Sequence, residues 1–235
     1  MEFDRMLEYS GALAAHNERT WFHDNHKQYE LAKADFVSLL ENLRFAVADG
    51  APAIADDIMY MQAKDWMYRV ARDMRYSKNR PPYNPAFRAY IAADKKSWLP
   101  IGYFISIFPG ASLFGTGMWF ESTADVNRVR DYISENLTEF EELVSESGVT
   151  IDGDRLKRMP RGYDENDPAA EWLKYKNWFI VEYVPDSRLT DFADFGGYIG
   201  DLVRRMEPLR QFLLEAARHE PGQKEILEDF HRFDM

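Results

Sequence analysis

The chain has 235 residues, 46% hydrophobic and 15% aromatic, with a formal net charge of -11 and no cysteine. So much negative charge disfavours general nucleic-acid binding, because phosphate backbones reward a basic face, and the missing cysteine excludes disulfides, thiol nucleophiles and thiolate metal sites. No apolar run approaches the ~20 residues of a membrane helix, and Met1-Glu2-Phe3-Asp4-Arg5 lacks a signal-peptide pattern, so a cytoplasmic protein forming one domain over 1–235, without a membrane partner, is expected.

In chain order, Phe3, Met6, Leu7 and Leu13 mark a short helix. Asn17 is a candidate N-cap for a longer one, with Phe36, Leu39, Leu40, Leu43 and Val47 on one face and a stop at Asp49-Gly50-Ala51-Pro52. Over 66–76 two readings compete. A strand sets Arg69, Asp73 and Arg75 on one face and Tyr68, Val70, Arg72, Met74 and Tyr76 on the other; a helix makes Arg69 and Asp73 an i,i+4 pair beside Arg72. Aromatic and β-branched content, and the Ser77-Lys78-Asn79-Arg80-Pro81-Pro82 breaker that follows, favour the strand.

Tyr103 to Phe108 and Leu113 to Phe120, joined by Pro109-Gly110, read as a hairpin. A helix carrying Val126, Val129 and Ile133 follows, then one that starts at Asn136 with Glu139 in a capping-box position and buries Leu137, Phe140 and Val144. The acidic positions from Glu135 to Glu146 read as a solvated face. Pro168 opens a short helix through Trp172 and Leu173, ahead of a strand near Trp178 to Val184. The last long helix carries Ile199, Leu202, Val203, Met206, Leu209, Phe212 and Leu213, with Pro208 as a kink point and Pro221 before a final short helix. Helices at both ends of a strand-rich middle define an α+β fold, a mostly antiparallel sheet covered by N- and C-terminal helices.

Between Arg69 and Tyr83 five basic side chains (Arg69, Arg72, Arg75, Lys78 and Arg80) crowd around one carboxylate, Asp73. Guanidinium groups this close repel one another unless carboxylates or a bound anion neutralise them, and arginine suits bidentate contact with carboxylate or phosphate. Asp73 is the natural orienter of one arginine, which leaves the other donors for a ligand; Tyr83 adds a hydroxyl. Arg19, Asn25 and His26 gather near a helix start, where anions are favoured, and His26 has the titration range of a general acid or base. His23 and His26 stand at i,i+3 without a third ligand, so no metal site is expected, nor any cofactor. Gly115-Thr116-Gly117 fits turn or bulge chemistry or a close backbone approach to a ligand, but lacks the context of a dinucleotide fingerprint. Lys157, Arg158, Arg161 and Tyr163 form a second basic patch, either lining a pocket or solvated on a loop.

The run R-x-x-R-D-x-R-[FY]-x-x-[DN]-[KR]-x-x-Y, here Arg69 to Tyr83, resembles the signature of the family catalogued as domain of unknown function 2461. Asn17-Glu18-Arg19-Thr20-Trp21-Phe22 with Asn25, His26 and Tyr29, the Gly102 to Phe120 hairpin, and Leu156 to Tyr163 with Pro168 and Leu173 to Lys176 resemble its other blocks, so the similarity covers most of the chain. His26 and Arg80 stand where the family has lysine. Asp167 stands where it has histidine, so a carboxylate replaces a nitrogen acid/base or ligand. The resemblance implies a related fold and a place for the site, and carries no activity with it. Three functions remain open: a protein binding a small phosphate- or carboxylate-bearing ligand in an arginine-rich pocket; a hydrolase or transferase using that pocket, with Asp73 or His26 as acid/base and Tyr83 as donor; or a structural or interaction domain with a buried arginine network.

Overall fold

The computed structural model describes residues 3–75, 79–120, 122–189 and 192–219. These form α1 (Phe3–Ala15), α2 (Arg19–Asp24), α3 (His26–Gly50), a 3-10 turn at Pro52–Ile54, α4 (Ala55–Met59), α5 (Ala63–Trp66), β1 (Phe87–Ile91), β2 (Tyr103–Ile107) and β3 (Ser112–Gly117). They continue with α6 (Thr123–Glu135), α7 (Leu137–Ser147), β4 (Thr150–Asp152), α8 (Ala170–Leu173), β5 (Phe179–Val184), α9 (Asp186–Leu189) and α10 (Phe192–Arg218). The fold is α+β, with strands hydrogen-bonded in the order β1-β2-β3-β5-β4. Among the described residues no helix is long and apolar enough to cross a membrane. The chain divides into two compact units, the first taking in the described residues of 1–97, 101–116 and 181–207, the second those of 98–100, 117–180 and 208–235.

In the first unit, helical spacing builds the core. Phe3, Met6, Tyr9 and Leu13 of α1 and Phe36, Leu39, Leu40, Leu43 and Val47 of α3 are buried, each set forming one stripe. The long helix expected after Asn17 is two helices. Asn25 interrupts it, donating from both its backbone N–H and its side-chain amide to the Trp21 carbonyl, at 3.0 and 2.9 Å, an asparagine competing with the helix for its own backbone. Glu18, not Asn17, holds the N-cap position of α2, while α3 stops at Gly50 where the sequence places its end.

The hairpin forms as expected. Strands β2 and β3 are antiparallel, with Ile105 opposite Phe114, and β1 adds on the other side, with Ala89 opposite Ile105. The Tyr103 hydroxyl donates to Glu207 Oε2 at 2.7 Å, tying β2 to α10, and α3 packs on β1.

The described part of the 66–76 segment, residues 66–75, is not a regular strand; Tyr76 lies outside the described residues. Trp66 ends α5, and the chain then runs extended with two isolated antiparallel bridges, Met67 with Ala89 and Ala71 with Tyr83. Tyr68 N–H donates to the Arg88 carbonyl, Asn84 N–H to Val70 and Arg72 N–H to Pro82. A continuous ladder is impossible because the facing stretch carries Pro81, Pro82 and Pro85, none of which has an N–H to donate.

In the second unit, Ser122 caps α6 by accepting from Asp125 N–H at 3.2 Å, and Val126, Val129 and Ile133 are buried. Helix α7 starts where the capping pattern places it, but the Asn136 amide donates back to the Tyr132 carbonyl instead of capping. Phe140 of α7 is buried against Phe212 and Trp172, with Leu137 and Val144 half-buried and Glu139, Glu141, Glu142 and Glu146 exposed. Helix α8 begins two residues after Pro168. Pro208 lies inside α10, which continues to Arg218; the helix expected after Pro221 lies outside the described residues.

Candidate functional site

Three of the residues singled out by the basic run line one open cavity of about 380 Å³ in the first unit. Arg72, Asp73 and Arg80 meet there with Met74, Asn84 and Arg88. On a regular strand, neighbours such as Arg72 and Asp73 point to opposite faces; the broken pairing of 67–75 lets both reach the cavity. Lys95 holds the start of this segment, its Nζ donating to the Met67 carbonyl at 3.0 Å.

Arg88 is the residue that sequence reasoning missed. It stands in β1, opposite Ser106, and is the one charged side chain in Phe87-Arg88-Ala89-Tyr90-Ile91, which is the signal that marks it. Its guanidinium lies over the Tyr68 ring, 5.5 Å from the centroid, and its buried Nε has no hydrogen-bond partner. Burial, then the neighbouring Arg72 cation, lower its pKa, and Tyr68 works the other way. Among the described residues no carboxylate pairs with Arg88, Arg72 or Arg80. Arg72 Nη1 donates to the Pro81 carbonyl at 3.1 Å, and Asn84 Oδ1 accepts from Ala86 N–H, so the Asn84 amide nitrogen is a further donor on the wall.

Asp73 does orient an arginine. Its carboxylate accepts from Arg75 Nε at 2.9 Å and from Arg75 Nη2 at 2.5 Å, and from the Arg75 backbone N–H at 3.0 Å. The Arg75 side chain, then its backbone N–H, hold the Asp73 pKa below the usual carboxylate range, and Asp73 raises that of Arg75. Arg75 is not part of the cavity wall. Arg69 is exposed and also off the wall, and Lys78 lies outside the described residues.

The Asn17 to Tyr29 block adjoins the run through Tyr83. Tyr83 stacks on Phe22 with centroids 4.2 Å apart, and Asn17 binds its backbone in both directions. Arg19 is exposed in the first turn of α2, Asn25 ends that helix, and His26 is exposed with Nε2 3.8 Å from Glu30 Oε1; none of the three lines the cavity. A crevice of about 10 Å³, room for one water, is lined by Tyr9, Tyr29 and Tyr68 and shares Asn84 and Arg88 with the cavity. The buried Tyr9 hydroxyl has no partner, and burial, then Tyr29 and Tyr83, raise its pKa. Burial, then Glu30, push Tyr29 up to about 12.

The other motifs resolve differently. Thr116 Oγ1 donates to the Gly102 carbonyl at 2.7 Å, and Gly115 pairs with Phe104. Gly117 has φ 156°, and a Cβ there would lie 2.6 Å from the Trp178 carbonyl oxygen, so this glycine admits a neighbouring strand. Lys157 and Arg158 line a depression of about 310 Å³ with Glu165, Glu171 and Lys174, while the Tyr163 hydroxyl donates to Asp131 at 2.7 Å. Asp167 has a structural place: Oδ1 accepts from Ala169 N–H at 2.7 Å and Oδ2 from the Ser134 hydroxyl at 2.9 Å.

An α+β chain whose irregular segment after α5, together with β1, carries a cation-lined cavity is thus the class of protein at hand. The model of the conserved hypothetical protein family DUF2461 matches residues 5–212, and the chain belongs to that family. No curated protein and no solved structure matches it.

Proposed function

We propose that this protein binds a small anion, a phosphate or a carboxylate group of a larger metabolite, between Arg72, Arg80 and Arg88. One observation carries the reading: Arg72 and Arg88 line one cavity, close enough for one to depress the pKa of the other, and among the described residues no carboxylate forms an ion pair with either. A half-buried guanidinium without a counter-ion is costly, and a ligand oxygen supplies the missing acceptor. Arg80 and the Asn84 amide nitrogen, on the same wall, add donors, while the Asp73 carboxylate there is engaged by Arg75 and Asn84 Oδ1 by Ala86 N–H.

Binding is favoured over catalysis in the same cavity. Asp73 is held ionised by Arg75, which suits an orienter and not a proton shuttle; His26 is off the wall, and no wall residue is a serine, threonine or histidine. A purely structural arginine network fits the Asp73–Arg75 pair alone. The acidic surplus favours a small ligand over nucleic acid, and the lack of cysteine fits the cytoplasm as its compartment. Thermal denaturation with inorganic phosphate and with citrate tests the reading. A rise in Tm that disappears in Arg72→Ala supports it, and no rise with either anion overturns it.

A further inference from the structure

We infer that the second unit holds a separate site for a planar aromatic molecule carrying an anionic group. Its cavity, about 520 Å³, falls in the ~300–1,000 Å³ range of small-molecule sites, and every residue lining it belongs to 117–180.

Charge and aromatic surface are arranged there for two parts of one ligand. Arg130, only 3% exposed, lines the cavity; Nη1 donates to Asn127 Oδ1 at 2.9 Å and Nη2 to the Tyr175 carbonyl at 2.8 Å, while the buried Nε has no partner. No carboxylate forms an ion pair with it among the described residues; Asp131, the next residue, already accepts the Tyr163 hydroxyl. Arg161 and Lys176 are exposed on the same wall and their side chains have no partner among the described residues. Against these three cations the described lining residues set one carboxylate, Asp154. The first turn of α6 adds its N-terminal end through Ser122 and Thr123, where free N–H groups also favour negative charge.

Trp119 supplies the platform. It is 63% exposed although it lines a cavity, and its ring stacks on Phe179 at 6.2 Å with an interplanar angle of 30°, which fixes one face and leaves the other open. An exposed indole beside unpaired cations suits a flat ring bearing a phosphate or carboxylate. This site rests on none of the residues of the first cavity.

The test is isothermal titration of the full chain with AMP, 1-naphthyl phosphate and indole-3-acetate, with adenosine and inorganic phosphate as half-ligands. At least one aromatic anion is expected to bind more tightly than ~1 mM, and both half-ligands more weakly than it. Trp119→Ala, and separately the pair Arg161→Ala with Lys176→Ala, should each weaken that binding ~10-fold at unchanged Tm, because all three side chains are exposed. Arg88→Met should leave it intact, which separates this site from the anion cavity of the first unit. Failure of all three aromatic anions to bind, binding indifferent to both sets of substitutions, or binding lost in Arg88→Met overturns the inference.

Discussion

Asn17 holds Tyr83 by its backbone, Oδ1 accepting from Tyr83 N–H at 3.0 Å and Nδ2 donating to the Tyr83 carbonyl at 3.1 Å. A side-chain amide thus stands in for a strand partner along a stretch whose prolines cannot complete a ladder. Because Arg80 lies three residues before Tyr83 and Asn84 one after it, this pair positions the wall of the cavity those two residues line without touching it.

Asn17→Ala should therefore lower stability by about 1–3 kcal/mol, two partly buried hydrogen bonds at about 0.5–1.5 kcal/mol each, and should also weaken phosphate binding. Asn17→Asp keeps the acceptor for Tyr83 N–H and loses the donor, so it should fall between the two. Urea denaturation of the three proteins, with and without phosphate, measures both effects.

Arg88→Met separates function from stability. Replacing a half-buried cation that lacks a counter-ion with an apolar side chain of similar length is neutral or stabilising in the free protein, so Tm without anion should stay level or rise. The anion-dependent increase should vanish: saturation at ~100 times Kd adds about 2.7 kcal/mol, worth ~5–10 °C for a chain of this size. A loss of Tm in the absence of anion would show instead that Arg88 stabilises the fold.

Much of this arrangement was legible in the sequence, and the exceptions have physical causes. The 3.6-residue stripes of α1, α3 and α10 and the turn at Pro109-Gly110 announce themselves because each buries one face only. Strand β1 does not, since Phe87, Ala89, Tyr90 and Ile91 are all buried and no alternation survives. The Arg69 to Arg80 cluster contributes three residues to one cavity, but its partition depends on pairings that spacing does not encode. Asp73 pairs with Arg75 on the surface, Arg69 stays off the wall, and Arg88, eight residues past Arg80, comes in through the bridge between Met67 and Ala89. Asn17, read as a cap, proved to be a long-range tie because its partner lies 66 residues away.

The tyrosines beneath the cavity give the protein an alkaline limit. Tyr29 has a folded-state pKa of about 12 against a reference of 10.0, so folding favours its neutral form. A raised pKa contributes stability that is fully present below pH 10, the unfolded value, and is lost as pH rises through the folded value near 12. Stability by urea denaturation should fall between pH 10 and pH 12, and Tyr29→Phe, which has nothing to ionise, should fall less steeply over the same window.

Asp167 anchors the entry to α8. Its two carboxylate oxygens serve Ala169 N–H and the Ser134 hydroxyl, and its carbonyl accepts from Ala170 N–H at 2.9 Å, a turn that a short acidic side chain closes on its own backbone. Asp167→Ala should cost about 1 kcal/mol, the usual worth of such a cap, whereas Asp167→Asn retains an acceptor for Ala169 and should cost less. Asp167→His sets a larger ring in the same half-buried turn, where one imidazole nitrogen cannot serve both donors, so it should destabilise at least as much as alanine. If histidine instead proves neutral by urea denaturation, Asp167 is not the group that fixes this turn.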